Sequence, residues 1–228
     1  MPKDNHQARL EVLGPVRLTN GSLKPIKGRK RQALLAYLLE ARIANRHEVS
    51  KIELIDELYP EVEETRALNA LRVEVHDIRS NLNPNVIETT SSGYKLGAIT
   101  SDAEQFLEMR DTRLWRAAYL EGMNFEREDD TSYQLLIATL HQCALEIMPE
   151  QAPEAVRVMR LLVELEPYDL EFLKTKARAL RAANNHRALG RAYEKARVRL
   201  REVGEHLPET WQVFWTGFKP QHIGKNTI

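Results

Sequence analysis

The sequence lacks most features that mark secreted, membrane or nucleic-acid-coating proteins. Cys143 is the single cysteine among 228 residues, which excludes an internal disulfide and a paired-cysteine zinc site. Its apolar surroundings predict a buried structural thiol. Lys plus Arg and Asp plus Glu are both 33, so no overall positive charge indicates nucleic acid. The longest apolar run, Ala33–Leu39, falls far short of the roughly 20 residues that span a membrane.

Motifs of common enzymes are also missing. The sequence contains no glycine-rich dinucleotide or phosphate loop, no HExxH and no GxSxG. His47-Glu48 lacks the second histidine of a zinc helix. We therefore expect no enzymatic activity, no cofactor, no metal and no membrane partner. The polar start, MPKDNHQARL, is not typical of a secretion signal, and with the lone cysteine it favours a reducing, cytoplasmic setting.

A long amphipathic helix is the most informative feature that the sequence does contain. Apolar residues recur at steps of three and four and predict one buried face: Leu68, Leu71, Val75, Ile78 and Leu82. The opposite face carries Asn69, Val73, His76 and Ser80, flanked by Arg72, Asp77 and Arg79. Thr65 is expected to cap this helix, and Asn83-Pro84-Asn85 ends it.

A short two-stranded hairpin is predicted directly after this helix, in VIETTSSGYKLG, with Tyr94 packing beneath it. Upstream, the runs Arg9–Val12, Pro15–Leu18 and Leu23–Ile26 predict a small antiparallel sheet with a turn at Asn20-Gly21. The predicted elements between them are a helix at Arg29–Ala41, a strand at Arg46–Val49 and a helix at Lys51–Tyr59 capped by Ser50. This order is typical of a winged helix, whose third helix and hairpin face DNA.

The first helix begins with three cations, Arg29, Lys30 and Arg31, which oppose the positive end of the helix dipole. Two explanations fit the sequence. The cations form a solvated basic edge, or they meet DNA phosphates together with the free amides of the helix.

Several segments together resemble the OmpR-type DNA-binding domain of SARP-type bacterial transcriptional regulators. These segments are LEVLGPVRL, GRKRQALLAYLL, ELIDELYP, RALNALRVEVHDIRSNL and Ser92-Gly93-Tyr94-Lys95-Leu96. The resemblance implies that the third helix enters the major groove of promoter DNA with Asn69, Arg72, Val73, His76 and Arg79. It implies that the hairpin tip, with Thr90 and Ser91, reaches the adjacent DNA backbone, where Arg29, Lys30 and Arg31 would add phosphate contacts if the second explanation of their position holds. It further implies a homodimer on direct repeats and an RNA polymerase contact at the loop with Glu61, Glu63 and Glu64.

Two stretches depart from that family's pattern. Asp77, Ser80 and Asn81 stand late in the third helix, where relatives carry arginines, and the hairpin tip reads Thr89-Thr90-Ser91-Ser92. Fewer cations predict weaker and less salt-sensitive DNA binding. Val73 and His76 also fit an ordinary solvated surface, and Asn69 also fits a hydrogen bond to the end of its own helix. The alternative function is a protein–protein adaptor with a degenerate winged helix and partner-binding helical repeats.

The remainder is predicted to be helical, near residues 102–119, 130–147, 151–165, 169–183, 186–203 and 208–218. Pro167 sets a tetratricopeptide-like register that places small or aromatic residues at Ala155, Ala177, Tyr193 and Ala196. Leu114-Trp115-Arg116, Glu154–Tyr168 and Ala192–Leu200 resemble the bacterial transcriptional activator domain. Between Lys174 and Arg201 the only acid is Glu194, which fits either a solvated face or a second electropositive surface. An aromatic stripe, Trp211, Phe214, Trp215 and Phe218, is expected to seal the end of the stack.

The expected organisation is an α+β winged helix with an extra N-terminal antiparallel sheet (residues 9–100), followed by an all-α tetratricopeptide-like domain (101–219). Residues 1–8 and 220–228 are expected to be tails, the first of them disordered. The expected function is sequence-specific DNA binding by a bacterial, nucleoid-associated transcription regulator that activates promoters through RNA polymerase.

Overall fold

A computed structural model of the chain describes residues 8–19, 28–123 and 131–215, without the side chains of Thr19 and Trp215. The chain divides into two compact units, Met1–Leu136 and Ile137–Ile228. The predicted domain boundary after residue 100 therefore lies inside the first unit. None of the helices in the described ranges is long and apolar enough to cross a membrane.

The first unit opens with a three-stranded sheet of order β2-β1-β6. Strand β1 (Arg9–Glu11) pairs antiparallel with β2 (Arg17–Thr19) and parallel with β6 (Thr100–Ser101). The predicted third run, Leu23–Ile26, and the turn at Asn20-Gly21 lie outside the described residues. The sheet is thus closed by a strand about ninety residues further along the chain, which local patterning did not predict.

The predicted order of the winged helix is present. It comprises α1 (Arg29–Ile43), β3 (Val49–Ser50), α2 (Lys51–Leu58), α3 (Glu64–Asn81), β4 (Ile87–Thr89) and β5 (Gly93–Leu96). The hairpin β4–β5 joins β3 in a sheet of order β3-β5-β4. A side chain at Gly93 would place its Cβ 1.8 Å from the Val49 carbonyl oxygen, so only glycine lets β5 approach β3 this closely.

Apolar side chains of the three helices form the core beneath the hairpin. The buried set includes Leu34, Leu35, Leu38 and Leu39 on α1, Leu54, Ile55 and Leu58 on α2, and Ala67, Leu71, Val75 and Ile78 on α3. Leu68 and Leu82, which were predicted on the buried face of α3, are only half-buried. Tyr94 is buried under the hairpin, as predicted. Ile52, near the start of α2, is 49% exposed although its spacing from Ile55 favours the buried face of that helix. Leu54 takes the buried position beside Ile55.

The segment after β6 differs from the sequence prediction. Helix α4 covers only Asp102–Met109, because Arg110 adopts a left-handed backbone (φ 55°) that ends it. A short 3₁₀ turn, Thr112–Leu114, follows. A return segment, residues 115–122, then runs beside the connection between β1 and β2, where the Leu120 amide donates to the Val12 carbonyl at 2.9 Å. The predicted helix over 102–119 is therefore wrong.

Asp102 links the return segment to the sheet from a fully buried position. Its carboxylate accepts hydrogen bonds from the backbone of Val12 at 2.7 Å and of Leu13 at 3.2 Å. Arg116 forms an ion pair with Asp102 at 3.0 Å and with Glu11 at 2.9 Å. Burial raises the pKa of Asp102, while the two backbone hydrogen bonds and Arg116 act in the opposite direction.

Helices α5 to α8 lie close to their predicted positions: α5 (Thr131–Ile147), α6 (Ala152–Leu165), α7 (Leu170–Ala182) and α8 (His186–Glu202). Helix α5 begins in the first unit and ends in the second. A short helix, α9 (Trp211–Trp215), follows. The predicted small and aromatic positions are all buried, namely Ala155, Ala177, Tyr193 and Ala196. Cys143 is buried as well.

The aromatic stripe is described only in part. Phe214 is buried and its ring lies 5.6 Å from that of Tyr193. Trp211 packs partly buried against the same cluster. Phe218 and the side chain of Trp215 lie outside the described residues, as do residues 1–7 and 220–228 of the predicted tails. Ala8, the last residue of the predicted disordered tail, is instead buried, and its carbonyl accepts a hydrogen bond from the Thr100 amide at 3.1 Å.

Candidate nucleic-acid interface

Helix α3 begins at a capping residue other than the one predicted from the sequence. Glu63, not Thr65, is the capping residue, and its carboxylate accepts hydrogen bonds from the backbone of Thr65 at 3.0 Å and of Arg66 at 3.2 Å. These bonds, led by the Thr65 amide, lower the pKa of Glu63. The prediction of Thr65 as the cap is therefore wrong.

The outward side of α3 is an open row of polar side chains, which we call the α3 face; it comprises Arg66, Asn69, Arg72, Val73, His76 and Ser80. Val73 is 58% exposed. Arg72 donates to the Asn69 side-chain oxygen at 3.0 Å, so the amide and the guanidinium are held together. His76 and Ser80 approach to 3.5 Å. Four of the five predicted groove residues are thus adjacent on one solvent-exposed surface.

Arg79, the fifth predicted groove residue, lies at the junction of α3 and the hairpin. Its Nε donates to the Ile87 carbonyl at 2.9 Å, and its Nη2 donates to the Thr89 hydroxyl at 2.9 Å. The guanidinium carbon is 6.0 Å from the centre of the Tyr94 ring. Arg79 therefore joins α3 to both strands of the hairpin.

All three cations at the start of α1 have partners within the unit. Lys30 donates to the Leu58 carbonyl at the end of α2, and its ammonium lies 4.9 Å from the Tyr59 ring centre. A cation at that end of α2 is favoured by the helix dipole. Arg29 donates to the Gly122 carbonyl at 3.0 Å.

Arg31 connects α1 to the side of α3. It forms ion pairs with Glu74 at 2.7 Å and with Asp77 at 2.6 Å. The hydrogen bond to Glu74 raises the pKa of Arg31. Internal contacts therefore offset the unfavourable position of Arg29, Lys30 and Arg31 at the positive end of the helix dipole. This explanation differs from both that the sequence suggests. Asp77, which weakens the basic character of α3, is part of that contact.

The hairpin tip is a tight turn with internal hydrogen bonds. The Gly93 amide donates to the Thr90 hydroxyl at 2.9 Å, and the Thr90 amide donates to the Gly93 carbonyl at 3.1 Å. Ser92 donates its hydroxyl proton to Glu48. The hydrogen bonds from Ser92 and Thr90 lower the pKa of Glu48. Of the two predicted phosphate contacts, Thr90 is engaged in the turn and Ser91 is exposed.

The acidic loop before α3 contains three exposed carboxylates in different roles. Glu61 is exposed within the loop, Glu63 caps α3, and Glu64 is the first residue of the helix. Acids in a first helical turn are favoured by the helix dipole. Two of the three predicted polymerase-facing glutamates therefore also stabilise α3.

Three residues around this surface were not among the predicted contact residues. Arg66 lies on the α3 face, three positions before Asn69, and the same helical spacing signalled it. Lys51 lies 6.0 Å from the Tyr94 ring centre, and its amide donates to the Ser92 carbonyl. Glu48 was noted only in relation to zinc, because nothing local links it to the hairpin tip.

The basic run of the second unit contains both paired and partly buried cations. Lys174 pairs with Glu171, and Arg197 donates to the Glu209 carbonyl at 2.8 Å. Burial lowers the pKa of Lys176, whose charged neighbours include Arg160 and Arg199. In the described ranges, no group of three or more His, Cys, Asp or Glu side chains could hold a metal ion.

Comparison with known proteins finds a chain of similar fold but no family of related sequences. No protein-family model and no curated protein matches the sequence. The solved structure of Mycobacterium tuberculosis EmbR in complex with a low-affinity phosphopeptide matches with a TM-score of 0.63 and 19% identity. The two chains share a fold. The match covers 92% of this chain and 64% of the EmbR chain, so EmbR contains further structure without a counterpart in the residues matched.

Proposed function

We propose that this chain is a sequence-specific DNA-binding transcription regulator that activates a promoter. The observation that carries the proposal is the α3 face: an open polar row on a helix whose two flanks are anchored, by Arg79 to the hairpin and by Arg31 to α1. A helix held on both sides and open on the third has the form of a recognition helix that enters the major groove.

The proposed base contacts are Asn69, Arg72, Val73 and His76. The amide and guanidinium can donate and accept at base edges, and Val73 offers an apolar contact for a thymine methyl. Arg66 extends the same row toward the start of α3. Arg79 is proposed to position the hairpin, since both its hydrogen-bonding contacts are internal.

Phosphate contacts are proposed at the edges of the α3 face. Ser91 is exposed at the hairpin tip, and Thr90 lies beside it. Arg29 and Lys30 are exposed, and their single carbonyl partners leave further N–H donors for a phosphate. Arg31 is proposed to orient α3, because two carboxylates already bind it.

The fold likeness supports a regulatory role, since EmbR is a SARP-family regulator. We further propose that two copies bind direct repeats of promoter DNA inside a bacterial cell.

Glu61 and Glu64 are proposed to face RNA polymerase. Replacing both with alanine should lower transcription without lowering promoter affinity. Glu63 is left intact in that experiment because its loss would disturb α3.

The test of the DNA proposal begins with selection of a preferred duplex from random DNA by the full chain. Asn69→Ala and His76→Ala should then weaken binding to that duplex by about 5- to 150-fold and leave binding to random duplex nearly unchanged. Matched controls are Asn81→Ala, on another side of α3, and His206→Ala in the second unit. Equal losses on both duplexes would contradict base reading.

A specific observation also favours the second candidate, an adaptor that binds proteins through its helical repeats. The cations Arg29, Lys30 and Arg31 have internal partners, which leaves few positive side chains for phosphates. The salt dependence of binding distinguishes the two functions, because DNA binding releases counterions for each phosphate neutralised. If the chain selects no preferred duplex and its DNA binding does not depend on salt, the result favours the adaptor function.

A further inference from the structure

Four cations come together where α6, α7 and α8 pack in the second unit. This α6–α8 cluster comprises Arg160 on α6, Lys176 on α7, and Lys195 and Arg199 on α8. Helix α7 packs against both of the other helices. The charges of the other three cations act on Lys176, as does the carboxylate of Glu164. The four positive charges therefore lie close together.

The packing of the helices places these cations on one side of them. Val156 on α6 and Ala192 on α8 both pack against the buried contact between α7 and α8. Arg160 and Lys195 each lie about one helical turn further along the same faces. Lys176 lines a small apolar cavity together with Ala192, so its aliphatic stem lies between α7 and α8.

Cations outnumber carboxylates on this surface even when its borders are included. The positions one helical turn before and after the four cations add Arg157, Arg191, Glu164 and Glu202. Glu154 is a third carboxylate, and Arg157 binds it at 2.6 Å. Four plus two cations therefore stand against three carboxylates, one of which is already paired.

In the described part of the chain, none of the four cations in the cluster forms an ion pair or a hydrogen bond. Other cations of the same helices do. Lys174 pairs with Glu171, and Arg197 pairs with Glu194 at 3.7 Å and donates to the Glu209 carbonyl at 2.8 Å. The N–H donors of the cluster are thus available to an anionic partner.

Lys176 occupies a position that packing alone would give to an apolar residue. Ala177 holds the small position of the tetratricopeptide-like register, and the general pattern of such repeats has a leucine directly before it. Burial lowers the pKa of Lys176, and the charges of Arg160, Lys195 and Arg199 lower it further, against the effect of Glu164. A half-buried cation among other cations costs stability, so its presence indicates a role other than packing.

The width of the cluster indicates an extended partner. Axes of packed helices lie about 8–10 Å apart, so α6 and α8, on either side of α7, are separated by up to about 20 Å. An extended chain advances about 3.3 Å per residue, so roughly six residues reach across the cluster. A single phosphate or carboxylate is too small to bind the cations of α6 and α8 together.

A short acidic segment also fits this surface better than a DNA duplex does. Duplex DNA carries one negative charge per about 1.7 Å of its length. The second unit contains nearly as many acids as bases, and Glu166, Asp169 and Glu171 lie around the turn from α6 to α7. Carboxylates in such positions repel a polyanion that extends beyond the cluster, whereas a short segment binds within it.

We propose that the α6–α8 cluster is a docking site for a short, extended acidic segment of a partner protein, whose carboxylates pair with Arg160, Lys176, Lys195 and Arg199. The site lies entirely in the second unit and does not depend on DNA binding by the α3 face. The failure of either proposal therefore leaves the other standing.

The first test is fluorescence anisotropy of the full chain with a labelled peptide of alternating glutamate and glycine, about eight residues long. A neutral peptide with glutamine in place of glutamate is the reference and should bind at least about tenfold more weakly. Added salt should weaken the acidic peptide, because it screens exposed charges. Equal affinity of the two peptides would overturn the proposal.

Paired variants of α8 show whether the cluster itself binds the peptide. Lys195→Gln combined with Arg199→Gln should weaken the acidic peptide about tenfold. The matched control, Arg187→Gln combined with Arg201→Gln, removes two exposed cations from other positions of the same helix and should weaken it less than about twofold. Equal weakening in both double variants would count against the α6–α8 cluster as the site.

Lys176→Leu separates binding from folding. Leucine restores the general repeat pattern, so the urea midpoint should rise, while affinity for the acidic peptide should fall by about two- to fivefold. The proposal is overturned if this variant binds the peptide as tightly as the wild type does. It is also overturned if the urea midpoint falls, since the lysine would then serve the fold.

Methyl NMR locates the bound peptide in the wild-type chain and does not depend on any variant folding. The methyl signals of Val156 and Ala192 should shift when the acidic peptide is added, and those of Leu54 in the first unit should not. Random duplex DNA, the competing partner, should leave the Val156 and Ala192 signals unchanged. Peptide-induced shifts confined to other methyl groups, or duplex-induced shifts of Val156 and Ala192, would overturn the proposal.

Discussion

The two compact units differ in the contacts that hold their elements together. In the first unit, charged side chains join elements far apart in the sequence: Arg31 to Glu74, Arg42 to Glu104, and Asp102 to the backbone of Val12. In the second, small and aromatic side chains are buried between consecutive helices, as at Ala155, Ala177 and Tyr193. Short strands and short helices bury too little apolar surface to fix their own arrangement, so specific polar links fix it in the first unit.

Removing the Asp102 carboxylate breaks the largest of these polar links. Asp102→Ala leaves two backbone N–H groups and the Arg116 guanidinium without their acceptor, and it should lower the free energy of unfolding by about 3–5 kcal/mol. Urea denaturation measures this loss, and amide exchange at Val12 and Leu13 shows where it acts. Asp102→Asn keeps an acceptor and should lose less. Equal losses in the two variants would show that the hydrogen bonds to Val12 and Leu13 contribute little.

The second unit should instead be sensitive to side-chain volume. Ala155 is fully buried on α6, so Ala155→Leu forces extra atoms between packed helices and should cost about 1–3 kcal/mol in the free energy of unfolding. Ala182→Leu, at an exposed position on α7, is the matched control and should be nearly neutral. If the two substitutions cost the same in urea denaturation, close packing of small residues does not hold this unit.

His141 is an exception to this difference between the units, because it makes a polar contact inside the second unit. Its Nε2 lies 3.0 Å from the Thr175 hydroxyl, and its ring lies 4.8 Å from that of Phe172. The pKa of His141 is lowered, because the effect of burial exceeds the opposite effect of the Asp169 and Glu171 carboxylates. The folded unit thus favours the neutral ring, so this contribution to stability is present above the unfolded pKa of about 6.5 and is lost as pH falls through the folded pKa.

Thermal unfolding at pH 7.5 and 5.5 checks this sign. The wild type should lose melting temperature on acidification, and His141→Gln, which cannot be protonated, should lose less. His206→Gln, at an exposed site, should behave as the wild type does. A wild-type melting temperature that rises on acidification would contradict the assignment.

The smallest expected effect is at the cap of α3, a polar contact of short range in the first unit. Glu63→Ala removes the acceptor for the Thr65 and Arg66 amides, so the first turn of α3 should fray while global stability changes little. Amide exchange at Thr65 and Arg66 should speed up in this variant and remain unchanged in Glu61→Ala. Because its folded pKa is lowered, the Glu63 cap should also weaken as pH falls below about 4.3.

The difference between the units also explains which features could be predicted from the sequence. Periodic and local patterns predicted the centre of the buried stripe of α3 (Leu71, Val75 and Ile78), the Ser50 cap, which accepts from the Glu53 amide at 3.1 Å, and the small positions of the repeats. The α3 face was predicted in the same way, apart from Arg66. Each of these depends on residues within a few turns of one another.

Contacts between distant segments could not be predicted in this way. No spacing rule connects Arg31 to Glu74 or Glu48 to Ser92, which are 43 and 44 residues apart. Arg31 and Arg79 are therefore predicted to contact DNA, whereas the fold gives them internal partners. The early end of α4 could not be predicted either, because the residue that ends it with a left-handed backbone is Arg110 and not the glycine common at such positions.

The parallel pairing of β1 with β6 has a consequence for synthesis of the protein in the cell. Strand β1 leaves the ribosome about 90 residues before β6, the strand that pairs with its second edge. At about 5–20 residues per second, β1 waits roughly 5–20 s for this partner. During that interval one edge of the strand presents unpaired N–H and C=O groups to other nascent chains. Slow translation upstream of residue 102 should therefore favour aggregation of the newborn first unit, and faster translation there should protect it.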